Sequence, residues 1–194
     1  MTSDAEICNV GLTRIQRERI TSLTQGTAAA NDCNAIFVPT REELLRSHDW
    51  NFARGRKKLA QLSATPVDEF DFAYQLPTDW LATRRVYDND GGYGSAIYRM
   101  QGLTILSSSP DIYLTYTKNL IDPASMPADF RSLFSYRIAA QLALTSTLME
   151  KMEALAIKYE RRARSTDSIE DDSIPRPRGS WVTGRFGSQN RVWP

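Results

Sequence analysis

Histidine and cysteine, which supply most metal ligands and many nucleophiles, are almost missing from this chain. There is one histidine, His48, and there are two cysteines, Cys8 and Cys33, in 194 residues. Two cysteines are too few for a disulfide framework at this length. Both fall in segments that read as helical and mostly apolar, so they read as buried free thiols. Cys8, Cys33 and His48 lack metal-ligand spacing and together are one ligand short of a closed zinc site. No apolar run of about 18 residues occurs, so no membrane-spanning helix is expected. The opening segment, MTSDAEICNV, has an acid where a signal peptide carries basic residues and lacks its apolar run. The expectation is a product that stays in the cytoplasm of the cell that makes it.

Other absences bear on chemistry. Gly91, Gly92 and Gly94 are not followed by Lys and Ser or Thr, so no phosphate-cradling loop is present. His48 lies directly between Ser47 and Asp49, but a triad needs three side chains that converge, and neighbours on a helix diverge. Paired carboxylates such as Asp68-Glu69 and Asp171-Asp172 sit in loop-like contexts. No enzymatic activity and no cofactor is expected.

What the chain has is 41% hydrophobic and 24% charged residues, which fits one globular domain with an appendage, or two very small domains. The net charge of +1 is unevenly placed. From Ser173 to Pro194 there are four arginines and no acid, which leaves 20 bases against 23 acids elsewhere. That last segment is broken by prolines and glycines and has no apolar periodicity, so it cannot bury enough surface to fold alone. Yet it carries Arg176, Arg178, Trp181, Arg185, Phe186, Arg191 and Trp193, the residue types that interface hot spots use. It reads as an arm that orders on a partner, in preference to a flexible end.

Taken in order, Ser3 and Glu6 form a capping box ahead of a helix bearing Ile7, Cys8, Gly11, Leu12 and Ile15 on one face. Gly11 sits mid-stripe, where it permits close approach of another helix. Ile20 to Gly26 links to a second helix over about 27–50, with Pro39 inside it. One helix bent at Pro39 is preferred to two helices meeting at Val38. Over 56–119 short alternating runs and turn signals predict an antiparallel sheet of about four to six strands, including a hairpin around Gln101-Gly102. Pro127 opens a third helix with Phe130, Leu133, Phe134 and Ile138 on one face. A fourth shows Leu148, Met152, Leu155 and Tyr159, a stripe that is core or a seam against another copy, core being preferred. It is expected to dissolve at Arg161, Arg162 and Arg164. The predicted fold is therefore α+β: a bundle of about four helices from 1–55 and 120–166, an inserted small β-domain over 56–119, and an extended arm over 167–194.

The stretch from Ile36 to Leu62 organises this plan. Trp50 and Phe52 stand where helix gives way to strand and suggest a wedge between two layers, a structural corner. Burying each ring contributes about 1.5–3 kcal/mol. The exit carries Arg54, Arg56, Lys57 and Lys58, which with Arg84 and Arg85 are candidate phosphate contacts and possible DNA-facing residues. A nucleic-acid-binding or regulatory module using the run 54–58 is the alternative this supports. Four cations near a sheet edge also describe a solvated face, and the body's net negative charge argues against tight non-specific binding.

The segments ICNVGLTRI, LLRSHDWNFARGRKKLA, FAYQLPTDWLATRRVY, IYLTYTKNLIDPASMPADFRSLFSYRIAAQLAL and RARSTDS followed by SWVTGR resemble, in order and spacing, the tail tubular protein A and head-to-tail adaptor family of tailed bacteriophages. The resemblance implies a few helices with an inserted β-domain and no catalysis. It implies a virion protein assembled in the host cytoplasm: a ring of twelve copies docked under the portal protein at the head-tail junction. Such a ring extends the DNA channel, touches genomic DNA only transiently and without sequence preference, and offers a platform to a tail or nozzle protein. No membrane contact is implied. In this family the C-terminal extension commonly reaches the portal, which would employ Trp181, Arg185, Phe186 and Trp193; the match is residue by residue only for SWVTGR, and beyond Gly187 there is no pattern to match.

Overall fold

The computed structural model describes residues 3–171, apart from 65, 67, 68 and 89–94. The element order is helix, helix, seven strands, helix, helix, an α+β fold in which helices from both ends of the chain enclose a β insertion.

The helices are α1 (Asp4–Arg14), α2 (Ala28–Ser47), α3 (Ala128–Leu142) and α4 (Ser146–Asp171). At the start of α1 the Ser3 hydroxyl accepts from the Glu6 amide and the Glu6 carboxylate accepts from the Ser3 amide, the reciprocal cap its sequence predicts. α2 runs through Pro39 as one helix. α3 packs against α1, α2 and α4. Its approach to α1 depends on Gly11, where a Cβ would come within 2.8 Å of the Ser135 carbonyl oxygen. Phe37 of α2 meets Phe134 of α3 with ring centroids 4.8 Å apart, and Thr40 and Gln141 exchange hydrogen bonds beside them. Cys8 and Cys33 are free and buried. A hydrogen bond with Cys33, and then burial, push the Cys8 thiol well above its ordinary range. The α4 stripe is core: Met152 is buried, with Leu148, Leu155 and Tyr159 packed against the same cluster.

The expected single sheet is two. β1 (Arg54–Lys58), β4 (Trp80–Tyr87) and β7 (Tyr113–Lys118) form one, ordered β1-β7-β4. β2 (Ala60–Gln61), β3 (Phe72–Gln75), β5 (Arg99–Gln101) and β6 (Thr104–Ser107) form the other, ordered β2-β3-β6-β5. Every pairing is antiparallel. Leu114, Tyr116 and Val86 from the first sheet share a buried cluster with Tyr74 and Ile105 from the second. Each sheet presents one apolar face, and strands this short bury it only by packing face to face. Gly55 on β1 permits the register, since a Cβ there would sit 2.8 Å from the Tyr116 ring.

Two expectations at the C-terminal end are corrected. α4 does not dissolve at Arg161, Arg162 and Arg164 but continues to Asp171, because arginine is a good helix former and these side chains lie along the flank of a helix whose Ala163 and Asp167 are buried. The arm therefore does not begin at 167. At the front of the insertion, β1 begins at Arg54, two residues earlier than expected. Residues 172–194, with Arg176, Arg178, Trp181, Arg185, Phe186, Arg191 and Trp193, lie outside the described residues, as does most of the glycine-rich loop after Asp88.

Gly11→Ala is expected to destabilise the fold by about 1–3 kcal/mol, since the atom it meets is backbone and α1 must shift away from α3. Denaturant unfolding of the variant measures this. A change below about 0.5 kcal/mol would mean the two helices are not held at this distance.

Candidate functional site: the end of helix α2

A helix leaves its last four carbonyls without intrahelical partners. At the end of α2 these belong to Leu44, Leu45, Arg46 and Ser47, and each is met by a side chain. The Trp50 indole N–H donates to the Leu44 oxygen at 2.9 Å, and the Ser47 hydroxyl donates to it at 2.8 Å. The Arg84 guanidinium, from β4, donates to Leu45 at 3.2 Å, Arg46 at 3.0 Å and, just past the helix, His48 at 2.6 Å. Arg164, from α4, donates to Ser47 at 3.2 Å. Two cations at a helix C-terminus also complement the negative end of its dipole. Arg84 is fixed from the other side by the Thr117 hydroxyl at 2.7 Å. Burial pulls its guanidinium below the ordinary value; Asp49 opposes this, and Arg46 and Arg54 add to it.

Trp50, at 1% exposure, lies in the helical core. Its ring meets Phe130 edge-on at 5.2 Å and tilts against Phe52 at 5.9 Å, and Phe52 meets Phe130 at 4.9 Å. The expectation of an aromatic wedge between helices and sheet is thus corrected. Both rings pack among the helices, while the side of the joint facing the sheet combines Leu81 of β4, which joins the helical cluster, with polar contacts. Besides Arg84, Arg46 donates to the Leu81 carbonyl at 3.0 Å. The buried Arg41 donates to the Asn119 side chain at 3.3 Å, and Asn119 donates to Glu42 at 3.1 Å.

α4 closes the site from its far end. One carboxylate oxygen of Asp167 accepts the Asn51 amide at 2.9 Å and the other lies 3.4 Å from His48 Nε2, while the Asn51 side chain donates to the Asp167 carbonyl at 2.6 Å. Ser47, His48 and Asp49 diverge: the hydroxyl bonds Leu44, the imidazole faces Asp167 and Trp50, and Asp49 holds Arg54 through contacts of 3.1 and 3.3 Å.

The basic run is divided by strand alternation. Arg54, Arg56 and Lys58 pair with Thr117, Thr115 and Tyr113, whereas Lys57 pairs with Leu114 on the opposite face. Arg56 lies over the Tyr87 ring and Lys58 over the Tyr113 ring, and these two tyrosines stack within 6° of parallel. Lys58 also contacts Asp111 at 2.8 Å. Arg84, grouped with the phosphate-contacting candidates, is instead occupied by α2 carbonyls.

Sequence reasoning found Trp50 and Phe52 but missed Arg84, Arg164 and Asp167 as members of this site. A helix predicted to stop at a buried aromatic needs donors for its carbonyls, and that need is the signal that was available. Among the described residues no three His, Cys, Asp or Glu side chains come together in a way that could hold a metal ion, and no helix is long and apolar enough to cross a membrane. In comparisons with known proteins, no family model and no curated protein matches the chain.

Trp50→Ala is expected to destabilise the protein by about 3–5 kcal/mol, the range for truncating a buried large aromatic. Arg84→Met, which keeps length but removes the donors, is expected to cost about 1.5–3 kcal/mol. Thermal or denaturant unfolding reads both. An Arg84→Met protein as stable as the parent would remove the capping role.

Proposed function

We propose that this chain is a structural virion protein, a head-to-tail connector whose copies form a ring under the portal, extend the DNA channel and support a tail or nozzle protein. The observation that carries the proposal is the architecture: two helices, a β insertion and two more helices, in the order the resembling phage adaptors imply. The site is also built like a joint. Its charged and polar side chains are spent on carbonyls, on one another and on the ends of elements, so it fixes an angle between a helical body and a β-domain.

The ring of twelve copies, the portal contact through residues 173–194 and the location at the head-tail junction belong to the same proposal. The second reading, a nucleic-acid-binding module using 54–58, has in its favour that Arg54, Arg56 and Lys58 share a face with the Tyr87–Tyr113 stack. Against it, Arg54 and Lys58 are already ion-paired, to Asp49 and Asp111.

Co-expression with the portal protein, followed by mass measurement of the purified complex, tests the connector reading. A complex of matched stoichiometry is expected, and removal of residues 173–194 should abolish or strongly weaken it. No association of the full chain with the portal, together with salt-dependent duplex binding by the chain alone, would favour the second reading.

A further inference from the structure

Beside α1 and the first turns of α3 lies a groove of about 660 Å³, with Ile7 and Val10 on its floor and Arg14, Arg19, Arg131 and Ser132 around it. Val10 is 45% exposed there. Arg14 is held in place, donating to the Ser135 hydroxyl at 2.6 Å with its guanidinium 3.7 Å from the Tyr136 ring centre. Arg19 donates to the Thr13 hydroxyl at 3.3 Å. None of the three arginines forms an ion pair with a carboxylate among the described residues. The acid in the groove, Glu6, is engaged by the Ser3 amide. The groove is thus an apolar floor under a cationic rim, within a body whose net charge is negative.

The same molecule carries a complementary surface. On α4, Met149, Glu153 and Ile157 follow one another at intervals of four and form one stripe, with Glu150 beside it. Met149 is 40% and Ile157 45% exposed, and Glu150 and Glu153 are exposed. Neither glutamate has an ion-pair partner among the described residues. Lys151 and Lys158 fall toward the far side of the helix, and Arg161 continues the row one turn beyond Ile157, so the acidic part of the surface is its N-terminal half, from Met149 to Ile157. The two surfaces cannot meet within one chain. α3 faces α1 along Ser135, Ile138 and Ala139, and it faces α4 along Asp129 and Arg137. α1 and α4 therefore stand on separate flanks of α3, coming near each other only where Tyr136 lies between Arg14 and Tyr159.

We infer that the α1–α3 groove is the docking site for the exposed stripe of α4 from a second copy of this chain. Met149 and Ile157 lie on Ile7 and Val10, and Glu150 and Glu153 are read by Arg14, Arg19 and Arg131. Because the two surfaces differ, the contact is heterologous and repeats from copy to copy, which is the kind of contact that closes into a ring. Only that closure rests on the connector reading; the contact itself rests on the complementarity of the two surfaces.

Sedimentation velocity of the full chain at low salt tests this. Concentration-dependent self-association is expected, weakening as salt rises. Arg131→Glu or Glu153→Arg alone should weaken it at least about tenfold, and the two together should restore it to within about threefold, because reversed charges again meet opposites. Arg19→Glu provides a second groove variant, and unchanged thermal unfolding shows that each variant is folded. A monomer at every concentration, or single variants that associate like the parent, overturns the inference. So does a double variant no better than the singles. Copies that ring the portal through another surface, with the groove and stripe variants assembling like the parent, would overturn this contact and leave the connector reading standing. Self-association through the groove by a chain that ignores the portal would do the reverse.

Discussion

Helix α2 ends with one side of its last turn, Leu44 and Leu45, buried, and an unmet buried carbonyl there costs about 1–3 kcal/mol. Much of the architecture follows from meeting that demand. The donors come from three places far apart in the chain: the indole of Trp50 just past the helix, the guanidinium of Arg84 in β4 and that of Arg164 in α4. Satisfying one helix end therefore requires that β4 of the insertion has paired with β7 and that α4 has packed. Arg84 reaches the carbonyls only if β4 runs beside β7, where Thr117 holds its other side.

Such a joint differs in kind from the cores it connects. The helical cluster, which takes in Leu81 of β4, and the β cluster are each apolar, and across the joint Arg46 and Arg84 add hydrogen bonds between α2 and β4 while Arg41 bonds Asn119 just past β7. Apolar contact is tolerant of small slides, whereas several hydrogen bonds from one rigid guanidinium fork are not. The angle between bundle and β-domain is accordingly set by direction rather than by area. Asp167 extends the same logic to the last turns of α4 by accepting from Asn51 while its backbone carbonyl takes the Asn51 side chain.

This explains what was legible in the amino-acid sequence. Features with local causes were readable: the Ser3–Glu6 cap, the tolerance for Gly11 in an apolar stripe, the hairpin at Gln101-Gly102, the third helix opening after Pro127. Trp50 was readable as buried, since a large ring in a helical pattern has nowhere else to go. Its neighbours were not, and the ring was assigned to the sheet side when it packs on Phe130 among the helices. Arg84 looked like a surface cation because its partners are carbonyls 36 to 39 residues away, which no side-chain pattern records. Asp167 fell beyond a run of arginines that reads as the end of a helix, although Arg161 and Arg162 line the exposed side of a helix that continues and Arg164 turns in to the Ser47 carbonyl. One sheet was expected instead of two because alternation shows that a strand has an apolar face and not what covers it.

The remaining charges are distributed in a way the joint makes intelligible. Arg41, Arg84 and Arg164 turn inward onto carbonyls or side chains, and Arg54 and Lys58 pair with nearby acids. Arg14, Arg19 and Arg131, without carboxylate partners among the described residues, lie beside α1, and Glu150 and Glu153, likewise without ion-pair partners, lie along α4. Were copies to join through those two surfaces, each contact would be made entirely by helices, and the β-domain would be carried at whatever angle the α2 joint imposes. An error in that angle would then be repeated in every copy. A directional, over-determined joint is what such an assembly requires, and a sliding apolar interface between the two cores would not provide it.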